Sequence, residues 1–460
     1  MQDYDKIINS LFERHQSVQN AGFTSDSYKP GLDRIRDLDR RMGCPSEHLR
    51  FIHVAGTNGK GSVCSMLAAS LSGSGYRVGL FTSPHLLDFR ERIKIVEDGG
   101  FSLIPRESVL EFLEKYDSPD LSFFEITTGM ALWYFDRRKV DVVVLEVGLG
   151  GLLDSTNIVV PEISVVTSIG LDHCALLGDT RALIAGQKAG IFKSGVPAVV
   201  GERDPETAPV FEAAAASVHC PLFFADDKAA GKDLRSPSVI LSEAKDLSTL
   251  TSQMDLKGEW QRRNLRTVLC ALDLLGEDPD FEAITHAAAI TGLRGRWETV
   301  DLSHLCVPCA ESALSAHRPH ENATPVSETD PFCTPMVIAD IGHNSAALKE
   351  NFARLNEMMA SGAYDKLIIV YGVMADKDLD SIIPLMPRGA EYFFAAPDTP
   401  RALPADVILS KAKDLLPDAQ ACESVPDAVQ KASAAATPQS LIYVGGSAFV
   451  VADFLKLLQD

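Results

Sequence analysis

The chain has 460 residues, with 43 Lys and Arg against 63 Asp and Glu, for a formal net charge of −20. Hydrophobic residues at 46% and charged residues at 23% are the proportions of a folded globular protein, not of a disordered or fibrous one. The acidic balance argues against a non-specific nucleic-acid or anionic-membrane binder, which would carry a basic excess.

Residues 4–20 place Ile7, Ile8, Leu11 and Phe12 on one helical face and predict an amphipathic helix. After a polar stretch at 22–29, a second helix is expected to run to Met42. The segment FIHVA at 51–55 reads as a strand and GTNGKGS at 56–62 as a glycine-rich loop. A helix at 63–71, ended by Gly73 and Gly75, and a strand at 76–81 follow, so the chain opens as strand, loop, helix, strand in the manner of a doubly wound sheet. Nearly continuous β-branched runs predict strands at 140–147 and 162–169, covered on both faces. A further strand is expected at 197–201, with helices at 107–115, 124–138 and 260–275.

A second α/β pattern starts near 296, with strands expected at 336–340, 366–371, 391–395 and 441–444. The fold class is therefore α/β. A P-loop-type, mostly parallel sheet is expected in an N-terminal domain over 1–295, and a smaller Rossmann-like α/β domain over 296–460, with a ligand cleft where they meet. Two stretches read as insertions, at about 227–250 and 306–333. The first contains VILSEAKDL at 239–247, and VILSKAKDL at 407–415 repeats it at eight of nine positions. Nine residues are too few for a solenoid repeat, and both copies read as insertion scars with no catalytic role. In the second stretch Cys306, Cys309, His317 and His320 have zinc-ligand residue types, but the spacer is shorter than that of a zinc finger, and no zinc site is expected.

No run approaches the ~18 apolar residues of a membrane span. The first residues lack the basic-then-apolar pattern of a secretory leader. The nine cysteines are scattered, several in apolar segments such as those of Cys64, Cys174 and Cys270, and read as reduced thiols of a cytoplasmic protein.

The loop at 56–62 carries the clearest chemistry. A glycine-rich turn after a strand aims backbone N–H groups at phosphate, and the helix that follows adds its positive end. Lys60 would add a full charge there. The loop departs from the strict Walker pattern, because Val54 and Ala55 precede it and Gly61, not Ser or Thr, follows the lysine. Ser83, just after the second strand, can offer a hydroxyl to Mg²⁺. Arg90 and Arg92 read either as a salt-linked surface pair or as anion holders. Glu146 ends an apolar strand, where a carboxylate is costly without a cation, and Mg²⁺ takes such hard oxygens beside nucleotide phosphates. Asp172 and His173 are read as closing the next strand in the same way. Lys188, by its pattern alone, is an ordinary helix lysine. Asp340 follows a strand of the second half and is expected to reach into a cleft.

Taken together, these segments resemble the folylpolyglutamate synthase/dihydrofolate synthase family of the Mur ligase superfamily. The matching stretches are HVAGTNGKGS at 53–62, TSPHL at 82–86, Phe124 with Glu125, EVGLGG at 146–151 with Asp154, Thr156 and Asn157, and GLDH at 170–173. KAGI at 188–191, Gly295 with Arg296, Asp340 with His343 and Asn344, and DKD at 376–378 complete a set that runs in the family's order over nearly the whole chain.

The resemblance implies an ATP-dependent amide ligase. ATP would phosphorylate a substrate carboxylate, and the amine of L-glutamate would displace phosphate from the acyl phosphate. It assigns the phosphate loop to Thr57, Asn58, Gly59, Lys60, Gly61 and Ser62, and further nucleotide contacts to Asn264, Arg296 and Asp340. Magnesium, with two sites expected, falls to Ser83, Glu146 and His173. Lys188 matches a lysine that is carboxylated in the family, and with Lys60 and His343 completes the catalytic set, His343 being expected at the cleft. The pterin-bearing substrate, dihydropteroate or a reduced folate, is assigned to residues 29–31, to Ser122, Phe123, Phe124 and Glu125, and to Leu153, Asp154 and Ser155. Gln187 stands where the family has glutamate, and Ile341, Gly342 and Ser345 alter the family's motif around Asp340.

The expected partners are small molecules only, with no nucleic acid and no membrane, on a monomer. Two other readings compete. A Mur-type ligase for a nucleotide-linked carboxylate would need about a hundred residues ahead of the loop, and only 55 precede Gly56. A P-loop regulatory NTPase would need neither Lys188 nor a second domain carrying Asp340 and His343. Between Arg50 and Ile95 six basic residues stand against two acidic ones, so a local basic pocket for the anionic substrates is expected within the acidic whole.

Overall fold

The computed structural model describes residues 4–15, 29–227, 247–301 and 334–459. The candidate zinc residues, most of the first VILS copy and the last five residues of the first expected helix lie outside these. The chain divides into two compact units, Met1–Arg294 and Gly295–Asp460.

The first unit is built on eight strands: β1 (Phe51–Ala55), β2 (Val78–Phe81), β3 (Ile93–Glu97), β4 (Gly100–Leu103), β5 (Val142–Glu146), β6 (Ile163–Val166), β7 (Ala198–Val200) and β8 (Leu222–Phe224). Their spatial order is β4-β3-β2-β5-β1-β6-β7-β8. The six strands from β2 to β8 in that order are parallel, and β3 and β4 add an antiparallel edge. β1 and β5 are buried at every position because helices cover both faces. On one face the helix Lys60–Gly73 is buried almost throughout and packs with the helix Glu259–Leu275. On the other, the helix Phe123–Arg138 anchors a second apolar cluster.

The β3–β4 hairpin was not expected from the sequence. Its two-residue turn, Asp98 and Gly99, has both φ angles positive, at 53° and 73°, which is the Asp-Gly turn that matches strand twist.

The second unit has β9 (Glu298–Val300), β10 (Met336–Asp340), β11 (Lys366–Tyr371), β12 (Glu391–Phe394), β13 (Gln420–Ala421) and β14 (Ser440–Gly445), in the order β13-β12-β11-β14-β10-β9. All pairs are parallel except β9 with β10. The second copy, at 407–415, begins inside a helix. Residues Ala405–Ala412 form a helix with Ile408 and Ala412 fully buried. In the first copy, Leu247 also packs in the core of the first unit. Among the described residues no helix is long and apolar enough to cross a membrane.

Candidate active site

The loop after β1 forms because its glycines take conformations that other residues resist. Gly59 has φ +87°, and a Cβ there would lie 2.4 Å from Asn264 Oδ1. Gly59 also caps the helix Lys60–Gly73, and no side chain caps that terminus. The first-turn N–H groups therefore lack a side-chain acceptor, and the helix dipole places partial positive charge where an anion can dock.

The loop is braced from behind. Thr57 Oγ1 donates to the Gly170 carbonyl at 3.1 Å, the Thr57 N–H donates to the Ser168 carbonyl at 2.7 Å, and the hydroxyls of Thr167 and Ser168 donate to the Asn58 carbonyl at 2.6 and 3.0 Å. Gln261 joins the loop to the helix Glu259–Leu275. Its Nε2 donates to Ser62 Oγ at 3.2 Å and its Oε1 accepts from Asn264 Nδ2 at 2.9 Å. Asn264 is thus brought beside Gly59. Gln261 escaped notice in the sequence, although its i, i+3 spacing from Asn264 puts both on one helix face.

Two lysines converge on one carbonyl. Lys60 Nζ donates to the Gly56 and Thr57 carbonyls at 3.1 and 3.3 Å, and Lys188 Nζ donates to the Gly56 carbonyl at 2.9 Å. Lys188 is not the ordinary helix lysine that its pattern suggests. It is 4% exposed, and burial, with the Lys60 ammonium in second place, pushes its amine down to about 7.

Glu146, 2% exposed, ends β5 beside the start of the loop after β2, and its Oε2 accepts the Ser83 N–H at 3.0 Å. Ser83 and Glu146 are therefore brought together. His173 does not close β6, which ends seven residues earlier at Val166. It sits on a following loop with φ 52°, its imidazole 3.9 Å from Asp172. Among the described residues no three His, Cys, Asp or Glu side chains cluster as a ready-made metal cage. The hydroxyl of Ser83 and the carboxylate of Glu146 are hard oxygens of the kind Mg²⁺ takes, one or two from a protein, with phosphate and water in the rest of its shell.

The expected substrate residues divide by role. Ser122 and Glu125 form a reciprocal capping box on the helix Phe123–Arg138, with N···O distances of 3.2 and 2.7 Å, and Arg34 Nε donates to Glu125 at 3.2 Å. Phe123 is buried, stacks on Phe12 at 5.0 Å and lies under the Arg92 guanidinium at 5.3 Å. Phe124 lies over Gly148, where a Cβ would come within 2.4 Å of its ring. Leu153 is 43% exposed. Asp154 is buried and accepts from the N–H groups of Leu149 and Thr156 at 2.8 and 3.0 Å, while Ser155 Oγ lies 3.1 Å from Thr128 Oγ1.

The expected basic pocket is not what the segment Arg50 to Ile95 forms. Arg50 pairs with Glu162, Arg77 with Glu97 and Arg90 with Asp88. Arg90 is thus salt-linked, as one of its two readings had it, whereas Arg92 is buried, donates to His85 Nδ1 at 2.8 Å and is pushed down to about 10 by burial. Lys94 is buried with Nζ on the Thr291 and Gly292 carbonyls at 2.8 and 3.3 Å. A window of sequence shows its own charges, not the distant acids that neutralise them.

In the second unit Asp340 does not reach outward. Oδ1 accepts from the Gly342 N–H and Asn351 Nδ2 at 2.8 and 2.6 Å, and Oδ2 from the Trp297 N–H at 2.9 Å. Burial pushes its carboxyl up, and Arg296 pulls it down. Arg296 Nε is buried without a hydrogen-bond partner. His343 Nδ1 lies 3.0 Å from the Ile341 carbonyl, and Asn344 caps the helix Ser345–Ala360.

The Mur ligase middle domain matches residues 54–272, and the Mur ligase glutamate ligase domain residues 326–448. The dihydrofolate synthase/folylpolyglutamate synthase of Haemophilus influenzae is 31% identical over 94% of this chain and 95% of its own length. That of Bacillus subtilis is 30% identical over 98% and 100%. The chain belongs to this family of Mur ligases. It is an ATP-dependent ligase that forms a carbon–nitrogen bond. The chain spans half the length of a 33% identical Haloferax volcanii relative named as a probable bifunctional folylpolyglutamate synthase/dihydropteroate synthase. Among solved structures, the Escherichia coli family member in complex with DHPP and ADP has a TM-score of 0.74 at 28% identity over 99% of this chain and 97% of that one. A bifunctional folylpolyglutamate synthase/dihydrofolate synthase with Mn, AMPPNP and L-glutamate bound has a TM-score of 0.76 at 26% identity, over 100% and 99%.

Proposed function

We propose that this protein adds L-glutamate to dihydropteroate, to the glutamate tail of a reduced folate, or to both, using ATP and Mg²⁺. The observation that carries the reading is the convergence of Lys60 and Lys188 on the Gly56 carbonyl, beside an uncapped helix terminus, with Glu146 buried at the end of the strand next to β1. That combination suits a nucleotide triphosphate with its cation.

In this reading the acceptor's carboxylate oxygen attacks the γ-phosphorus and ADP leaves. The glutamate amine then attacks the acyl carbon, inorganic phosphate departs, and the amine's proton is lost as the amide forms. Thr57 to Ser62 cradle the phosphates through backbone N–H groups, and Lys60 spreads the charge that develops on the transferring group. Asn264, and from the second unit Arg296 and Asp340, are assigned to the nucleotide. Arg296 would contact it directly. Asp340, with both oxygens engaged internally, would act by holding the Arg296–Trp297 turn.

Ser83 and Glu146, with His173 from the following loop, would hold Mg²⁺, which supplies charge neutralisation at the phosphates. A Lys188 amine that titrates at about 7 loses its proton far more readily than an ordinary lysine, and the neutral form can add to CO₂, giving a carbamate and releasing a proton. The product is an anion suited to a second cation. Phe124, Leu153 and Ser155 would line the acceptor site, while the buried Phe123, the Ser122–Glu125 capping box and Asp154 hold its walls. His343 is assigned to the incoming glutamate. The protein would work as a cytoplasmic monomer.

The test is phosphate release with mass spectrometry of the products. Release should require both the acceptor and glutamate, and the product should gain one glutamyl unit. Release with neither present would favour a regulatory NTPase. Running dihydropteroate against a reduced folate separates the two acceptor activities.

A further inference from the structure

The loop between β5 and β6 is tied to the helix that carries Lys188, and one side chain makes most of the tie. Asn157 is 4% exposed. Its Nδ2 donates to the Leu152 carbonyl and to the Gly190 carbonyl, each at 3.0 Å, and its Oδ1 accepts from Lys193 Nζ at 2.7 Å. One amide thus spans the loop that carries Leu153 and Ser155 and the C-terminal end of the helix Arg181–Ala189, and every polar atom of it is used.

The backbones also meet. The Leu152 N–H donates to the Gln187 carbonyl at 2.9 Å. A Cβ on Gly151 would lie 2.8 Å from the Gln187 carbonyl oxygen and 3.1 Å from Lys188 Cα, and one on Gly190 2.5 Å from Leu152 Cα. Both glycines are needed for this approach. A second tie fixes the other side of the loop. Thr156 Oγ1 donates to Asp154, so at 2.8 Å it accepts from His53 Nε2 on β1. The loop is therefore held between β1, which feeds the phosphate loop, and the turn that places Lys188 on Gly56.

We propose that Asn157 is a positioning residue that acts through Lys188. It registers the loop against the helix end so that the Lys188 amine reaches the Gly56 carbonyl. This rests on the reading of Lys188 as a member of the catalytic set.

The test is Asn157→Asp, which keeps the shape and the Lys193 contact but replaces two donors by an acceptor facing two carbonyls. The kcat should fall about tenfold to a hundredfold, the scale of a small misplacement of a reacting group, with the KM for ATP within about twofold of the parent. Asn157→Ser, which restores one donor, should recover part of the loss and serves in place of the aspartate if that variant does not fold. A role in stability alone would lower the melting temperature and leave kcat per folded molecule intact, which would overturn the proposal.

The double variant with Lys188→Ala separates the two claims. If Asn157 works through Lys188, adding Asn157→Asp to Lys188→Ala should slow the residual rate by no more than about twofold. Multiplicative losses would overturn the proposal. Full activity of Lys188→Ala alone would overturn the reading beneath it, and with it the route assigned to Asn157. An impaired Lys188→Ala beside a fully active Asn157→Asp would sink only the positioning role.

Discussion

Lys188→Met should make the unliganded protein more stable at pH 6 while removing turnover. The lysine is 4% exposed, and a fall from 10.5 to about 7 corresponds to about 5 kcal/mol of penalty on its charged form. Methionine fills similar space without charge. It forgoes the bond to the Gly56 carbonyl, worth about 1.5–3 kcal/mol for a charged donor, but Lys60 Nζ still reaches that oxygen at 3.1 Å. The net gain at pH 6 is then about 2–3 kcal/mol.

The sign of the pH dependence follows from the protons bound. Below pH 7 both the folded and unfolded lysine are charged, and the parent carries the full penalty. Between about 7 and 10.5 the unfolded chain holds more protons than the folded one, so the parent gains stability as pH rises. The variant has no such group. From pH 6 to pH 9 the parent should gain about 3 kcal/mol on the variant, enough to close the gap. Urea unfolding of both proteins at the two pH values measures this. A variant less stable than the parent at pH 6, or a difference that ignores pH, would refute a penalised buried ammonium. The same preparations should show turnover lost in the variant.

Two further outcomes follow from the loop and the metal residues. Gly59→Ala forces a side chain to φ +87° and toward Asn264 Oδ1, which is anchored through Gln261; the ATP KM should rise at least tenfold in steady-state kinetics. Gly75→Ala, at φ +92° with nothing within 4 Å, bears the same backbone strain of about 1–2 kcal/mol and should leave that KM alone, so equal effects at both sites would contradict the reasoning. Glu146→Gln keeps an oxygen for the Ser83 N–H but removes the charge. The Mg²⁺ concentration for half-maximal rate should rise at least tenfold in a metal titration, and an unchanged requirement would remove Glu146 from the metal site.

Much of the architecture was legible because parallel strands covered on both faces announce themselves as β-branched runs, as at β5 and β11. The hairpin β3–β4 was missed, although Asp98 and Gly99 carry its turn in plain sight, because the alternation on either side is short. The site was legible where local backbone chemistry decides it, in the glycine loop and in Glu146 at a strand end. It was not legible where tertiary contacts decide. Lys188 has an unremarkable helical neighbourhood, and its burial comes from Gly151 and Gly190, which let the loop come close. Asp340 stands at a strand end just as Glu146 does, yet its oxygens are taken up by Trp297, Gly342 and Asn351. One strand-end carboxylate accepts the N–H of a proposed metal-site residue and the other knits its own unit together, and nothing in their local sequence separates them.

The charge argument changes most once the contacts are known. The basic surplus between Arg50 and Ile95 is, apart from Lys60, engaged by acids, by His85 or by buried carbonyls. What remains is smaller and more focused: Lys60 and Lys188 on one carbonyl oxygen, at 3.1 and 2.9 Å, with a helix terminus between β1 and the core that no side chain caps. Two cations held this close repel each other, and in a buried setting little water screens them. An arriving polyphosphate relieves that repulsion as well as making its own bonds, and conversion of Lys188 to a carbamate would relieve it by reversing the sign of one partner. Attraction for anions is thus concentrated at one point where chemistry is proposed, which is compatible with a chain whose net charge is −20. A small anion that reaches the loop meets fixed donors.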